Sequence, residues 1–128
     1  MTAMSDYLEN AIIDATLRGQ NFVAPPTVYL ALFTSDPTDA GTGTEVSGGS
    51  YARQPISFGS STDGSCTNVG DIFYPAATAG WGTISHIGIY DAGTAGNLLY
   101  YGSLITTKSI AANDQLKVAA GDITVTLA

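Results

Sequence analysis

Two residue classes are scarce in this chain, and their scarcity excludes several kinds of protein. Cys66 is the only cysteine among 128 residues, so an intrachain disulfide and a cysteine-rich zinc site are both excluded. Only 4 Lys and Arg side chains stand against 11 Asp and Glu, which gives a net charge of −7. Because proteins bind polyanions by neutralising phosphates with Lys and Arg, we predict that neither nucleic acid nor an anionic membrane is a partner.

The sequence also lacks catalytic and cofactor-binding patterns. The single histidine, His86, is accompanied by no Gly-x-Ser-x-Gly turn, and neither Lys108 nor Lys117 follows a glycine as a P-loop requires. Carboxylates from distant strands could form a glycosidase pair, and Trp81 with the 7 Tyr could form a sugar platform, but core packing is the expected role of Trp81. We predict no catalytic residue, no cofactor and no enzyme activity.

One loop has a composition that suits a metal ion. Asp36, Asp39 and Glu45 lie in a segment rich in Gly and Thr, and oxygen-rich loops of this kind hold Ca²⁺ in some proteins. The spacing lacks the alternating ligand positions of a dedicated calcium loop. We therefore predict a solvated loop and no metal site.

No segment has the pattern of a membrane span or a signal sequence. The stretch between Asp71 and Asp91 is uncharged at neutral pH and long enough to cross a bilayer, but Pro75, Gly80 and Gly82 interrupt it. The amino terminus has no basic segment followed by an apolar run, so we expect no secretory signal.

The hydrophobic pattern predicts one helix at the amino terminus. Asp6 is a good N-cap with Glu9 three residues later, and Gly19 after Arg18 provides a stop signal. Between these signals, apolar residues recur at helical spacing, namely Leu8, Ala11, Ile12 and Ala15. The helix is predicted over residues 6–18.

From residue 27 onward, the pattern predicts strands and turns. β-Branched and aromatic residues dominate there, and Gly or Pro recurs between the apolar runs. Strands are predicted at residues 27–33, 51–58, 69–74, 83–90, 98–105, 115–119 and 122–127. The first is expected in the centre of a sheet under the helix, and the last two are expected to pair through a tight turn at Ala120-Gly121. The predicted fold is all-β: residues 1–128 form one domain, a seven-stranded antiparallel β-sandwich or small barrel with one N-terminal α-helix.

Several segments resemble those of small virion proteins of tailed bacteriophages. They are Ser5-Asp-Tyr-Leu-Glu-Asn-Ala, Pro26-Thr-Val-Tyr-Leu-Ala-Leu-Phe-Thr-Ser-Asp-Pro-Thr, Gly48-Gly-Ser-Tyr-Ala-Arg-Gln-Pro, Trp81-Gly-Thr-Ile-Ser-His-Ile-Gly-Ile-Tyr-Asp and Gly96-Asn-Leu-Leu-Tyr. The resemblance covers nearly the whole chain and implies a structural role in the virion, with synthesis in the cytoplasm of the bacterial host. Some members are described as tail-fibre proteins, and others resemble capsid decoration, or cement, proteins.

Two virion locations fit this resemblance. A fibre usually needs a shaft built from a coiled coil or a repetitive β-region, and the sequence has neither. A cement protein needs only adhesive faces, and three contacts of roughly 800 Å² would use under half of a surface of roughly 6,400 Å². We therefore predict capsid decoration that stabilises the head shell. The alternative is a small tail, baseplate or tail-fibre-associated protein involved in host adsorption. The partners are the major capsid protein or tail components, and a homo-oligomer such as a trimer is expected.

The segment from Thr34 to Ser50 is the predicted partner-binding region. It is long and is expected to lack regular structure, and its glycines would allow it to adapt to a partner surface. The candidate contact residues are Asp39, Thr42, Gly43, Thr44, Glu45 and Gly48.

Overall fold

A computed structural model describes residues 2–127 and begins with a short strand and the predicted helix. Strand β1 (Thr2–Met4) leads into α1 (Asp6–Leu17). The N-cap is Ser5 rather than Asp6, because Ser5 has extended backbone angles and its Oγ accepts a hydrogen bond from the Leu8 amide at 3.2 Å. Gly19 adopts φ +67°, as expected of a stop residue, and the helix ends one residue earlier than predicted.

Eight further strands follow α1 within the described residues. They are β2 (Val28–Phe33), β3 (Gln54–Ile56), β4 (Ser65–Thr67), β5 (Ile72–Phe73), β6 (Gly82–Tyr90), β7 (Leu98–Ile110), β8 (Lys117–Val118) and β9 (Thr124–Thr126). A five-stranded antiparallel sheet has the order β1-β7-β6-β2-β3, and two small sheets pair β4 with β9 and β5 with β8. The mostly β class with one helix is confirmed, whereas the strand count and pairing differ from the seven-stranded arrangement that was predicted.

The predicted pairing of the last two strands is wrong. The turn at Ala120-Gly121 forms, but β8 pairs with β5 and β9 pairs with β4. The reason is Asn68, which is 2 % exposed and lies between the two segments. Its Nδ2 donates to the Ala119 carbonyl at 3.1 Å, and its Oδ1 accepts from the Ile123 amide at 2.9 Å. The Asn68 side chain thus hydrogen-bonds to backbone groups that a hairpin of the last two strands would have used.

The main core lies on one face of the five-stranded sheet. Leu30 and Leu32 of β2 are opposite Ile89 and Ile87 of β6 in register, and all four side chains are buried. Trp81 is 5 % exposed and belongs to this core, as expected. A smaller cluster covers the other face and consists of Ala31, Phe33, Tyr90 and Leu98. Strand β2 is therefore buried on both faces, but α1 packs beside β7 rather than over β2.

Strand β7 is five residues longer than predicted (ending at 110 rather than 105) and contains a large bulge. Ser103 pairs with His86 and Lys108 pairs with Ile84, so residues 104–107 lie opposite Ser85 alone. We call this segment the β7 bulge. Its Ile105 side chain is fully exposed.

No helix in residues 2–127 is long and apolar enough to cross a membrane.

Candidate interaction surfaces

The predicted partner-binding segment has an ordered structure. After β2, the chain turns at Pro37, where the Asp36 carboxylate accepts a hydrogen bond from the Thr38 amide at 2.9 Å. It then returns along β2, with the Val46 amide donating to the Leu32 carbonyl at 3.0 Å. Val46 is buried in the main core. The segment contains no helix or strand, as expected, although these contacts hold it against the sheet.

The six candidate contact residues do not share one environment. The exposed residues are Asp39, Thr42, Thr44 and Gly48. Gly43 is half-buried, and a Cβ there would lie 2.7 Å from the Pro37 Cα, so this glycine is needed for close packing rather than for adaptability. Glu45 is half-buried and engaged within the protein. A binding role for the exposed residues stays a prediction.

Glu45 and Arg53 form an ion pair inside the molecule. The Arg53 Nε and Nη2 atoms each donate to a Glu45 carboxylate oxygen at 2.8 Å. Arg53 Nη1 donates to the carbonyls of Ala92 and Ala95 in the β6–β7 turn at 3.0 and 2.7 Å. The guanidinium carbon lies 3.7 Å from the centre of the Tyr90 ring. The pair thus ties segment 34–50 to that turn, and no sequence spacing indicated it.

The phenol of Tyr51 completes this network. Its hydroxyl donates to Glu45 at 2.7 Å and accepts from the Leu32 amide at 3.0 Å. Burial, together with the hydrogen bond to Glu45, raises the pKa of Tyr51. Burial lowers the pKa of Arg53, but the hydrogen bond and charge of Glu45 outweigh it and leave that pKa raised. At neutral pH, Arg53 is therefore positively charged and Tyr51 is uncharged.

Three exposed carboxylates meet where segment 34–50 reaches the start of α1. Oxygens of Asp6, Glu9 and Asp39 lie within 4.8 Å of one another. The Asp6 amide donates to the Asp39 carbonyl at 2.9 Å, which holds the two segments together. Asp39 therefore groups with helix residues and not with Asp36 and Glu45, the set considered from sequence. Exposed acidic groups of this kind are common without a metal.

Tyr101 of β7 is the polar neighbour of this acidic group. Its hydroxyl donates to an Asp39 carboxylate oxygen. This hydrogen bond, with smaller contributions from burial and nearby carboxylates, raises the pKa of Tyr101 to about 12. The contact joins residues 62 positions apart, so sequence spacing could not reveal it.

The helix presents an apolar face to solvent. Leu8 is the only buried side chain of α1 among its 12 residues. Ile13 and Leu17 are 52 % and 79 % exposed and follow Glu9 at intervals of four residues, so the three share one side of the helix. We call Glu9, Ile13 and Leu17 the α1 outer face.

An open groove lies between the β7 bulge and strands β8 and β9. Its volume is about 440 Å³. Ile84 and Ile87 of β6 form its buried apolar floor, and Ile105 stands at its edge. Lys108 and Lys117, the only lysines of the chain, also line it. We call this feature the β7 groove.

Open apolar surfaces of this kind are typical of proteins that assemble with other proteins. The comparison with known families agrees with this class. A family model described as Podophage GP4 fiber I protein gp80 matches residues 3–126. The chain therefore belongs to this family and is a phage virion structural protein related to tail fibres, which confirms the resemblance noted from the sequence. No curated protein matches the chain.

Proposed function

We propose that this protein is a non-enzymatic structural component of the phage tail, where it associates with a tail fibre and takes part in host adsorption. The observation that carries the proposal is the fibre-family match over residues 3–126. That match supports the tail-fibre alternative better than capsid decoration, which the comparison of contact area with surface area had favoured from the sequence.

The geometry is consistent with a compact module of a fibre assembly rather than with a shaft. Within the described residues, the longest helix has 12 residues and the strands form short sheets, so neither a coiled coil nor a repetitive β-region is built there. The β7 groove and the α1 outer face offer surfaces for neighbouring proteins. A separate chain would supply the shaft.

The arrangement of polar groups favours a role without catalysis. The Ser85 hydroxyl lies 2.8 Å from His86 Nδ1, which is the one hydrogen bond between a serine and a histidine side chain among residues 2–127. No carboxylate in that part of the chain hydrogen-bonds to His86 to orient it, and a nucleophilic site needs such a third group. We therefore expect the purified protein to leave host polysaccharide and peptidoglycan intact.

Localisation on the particle tests this proposal. Gold-labelled antibody against the protein should mark the tail, and mass spectrometry of purified virions should give a handful to dozens of copies per particle. The same antibody should slow adsorption to host cells. Label over the head shell, with hundreds of copies per particle, would instead support capsid decoration. Turnover of a surface glycan by the purified protein would contradict the non-enzymatic role.

A further inference from the structure

The α1 outer face and the β7 groove are two open surfaces of one chain with complementary chemistry. The outer face carries one carboxylate, Glu9, followed by two exposed aliphatic side chains, Ile13 and Leu17. The groove has an apolar floor and two lysines along its walls. We propose that the α1 outer face of one copy docks in the β7 groove of a second copy of this protein.

The charges of the chain support a second copy as the occupant. Of the four cationic side chains, Arg18 pairs with Asp14 at 3.1 Å and Arg53 pairs with Glu45 at 2.8 Å. The other two are Lys108 and Lys117, and both line the groove.

The two lysines differ in how far they are neutralised. Lys117 has one loose contact with Asp71 at 3.7 Å, and Lys108 makes no ion pair within residues 2–127. Asp122 also lines the groove, and its carboxylate accepts a hydrogen bond from the Ala119 amide at 3.0 Å, so the two lysines leave the groove with a net positive charge. The start of α1 has an excess of negative charge, because Glu9 lies beside two further carboxylates. Docking of a second copy therefore brings the carboxylates at the start of α1 close to Lys108 and Lys117, the cations with the weakest ion pairs.

The chain exposes more surface than a compact monomer of its mass is expected to expose. The chain has 7058 Å² of accessible surface. A compact monomer of 13.1 kDa is expected to have roughly 6,400 Å², so the difference is about 650 Å². A partner in a standard interface buries about 800 Å². The surplus for the whole chain is thus similar in size to the area that one partner buries in such an interface.

The contact has to form between copies. Within one copy, α1 lies at the beginning of β7, where the Ser5 amide donates to the Leu99 carbonyl at 2.9 Å, and the groove lies beyond Gly102 on the same strand. The outer face spans about 12 Å from Glu9 to Leu17 and is a different surface from the groove. Because they are different surfaces, two copies can exchange the contact reciprocally as a dimer, and a head-to-tail contact gives a ring when the rotation closes and a filament when it does not.

Light scattering on a sizing column tests this contact across a range of concentrations. The wild-type protein should have a mass that is a multiple of 13.1 kDa. Leu17→Asp places a charge in the apolar floor and Lys108→Glu repels Glu9, so each should weaken self-association at least about tenfold. Val69→Asp alters a side chain that is 54 % exposed and outside both surfaces, and it should leave the mass unchanged. A wild-type mass of one chain at every concentration, or no effect of the first two variants, would overturn the proposal.

Mixing the two weakened variants separates this contact from any symmetric one. Leu17→Asp keeps an intact groove and Lys108→Glu keeps an intact helix face, so together they should form a one-to-one dimer. The charge exchange Glu9→Lys with Lys108→Glu in one chain should restore self-association. Fluorescence of Trp81 reports whether each variant is folded, because this side chain is 5 % exposed in the core. A mixture that stays monomeric together with a failed charge exchange would contradict the proposal, and neither result depends on where the protein sits in the virion.

Discussion

Removal of one member of the Glu45–Arg53 pair should destabilise the fold strongly. Glu45→Gln keeps the size of the side chain but removes the counter-charge of Arg53, whose side chain is only 8 % exposed. Breaking a buried pair on one side costs about 3–5 kcal/mol, because an uncompensated charge is left behind. The Tyr90 ring and two carbonyls still contact the guanidinium, so we expect about 3 kcal/mol.

The opposite substitution should cost less. Arg53→Met leaves Glu45, whose side chain is 24 % exposed and therefore reachable by water, and the hydrogen bond from Tyr51 persists. We expect a loss of about 2 kcal/mol. The double variant removes both charges, so its cost should be about 3 kcal/mol rather than the sum, which gives a coupling of about 2 kcal/mol.

Urea unfolding followed by Trp81 fluorescence measures these values. Trp81 is the only tryptophan, and its Nε1 donates to the Gly49 carbonyl at 2.9 Å, so it reports on the core beside segment 34–50. In a thermal scan, the loss for Glu45→Gln corresponds to a melting temperature lowered by about 10 °C. Arg18→Met is the matched control, because the Arg18–Asp14 pair is exposed at 65 % and 42 % and should contribute below about 0.5 kcal/mol. Losses below about 1 kcal/mol for both single variants, or additive effects in the double variant, would refute this reasoning.

Three further predictions follow from close contacts elsewhere in the chain. Gly43→Ala should destabilise by about 1–3 kcal/mol in urea unfolding, because its Cβ would meet backbone atoms at 2.7 Å. Gly80→Ala is the control and should cost clearly less, since the nearest atom to its Cβ is at 3.5 Å, and equal losses would contradict the packing argument. Asn68→Ala should cost about 1–3 kcal/mol because it leaves the buried Ile123 amide and the half-buried Ala119 carbonyl without this partner, and a loss within the error of the measurement would show that water replaces it. Asp39→Asn should bring the pKa of Tyr101 down from about 12 towards its ordinary value in a tyrosinate absorbance titration. Because the pKa of Tyr101 is raised in the folded state, the Tyr101–Asp39 hydrogen bond contributes fully to stability below about pH 10, and this contribution is lost as the pH rises towards 12. A Tyr101 pKa unchanged by the substitution would rule out Asp39 as the cause of the shift.

The sequence by itself determined the features that depend on neighbouring residues. Helix α1, strands β2 and β6, the turn at residues 91–97 and the Gly19 stop were predicted from periodicity and turn chemistry, which act within a few residues of the chain. The segments that match the fibre family were also visible in the sequence, because they are continuous stretches of chain. The single domain and the oligomer stay predictions.

Only the tertiary structure decided which distant groups meet. Asn68 redirects the last two strands through hydrogen bonds to residues 51 and 55 positions away. Arg53 is buried against a turn 39 to 42 positions away, and Asp39 meets the start of α1. The β7 groove is likewise assembled from β6, the β7 bulge and the two terminal strands. Hydrophobic periodicity specifies which face of each strand is buried, but it carries no information on which strand lies beside it, since pairing depends on contacts that form only when the whole chain has folded.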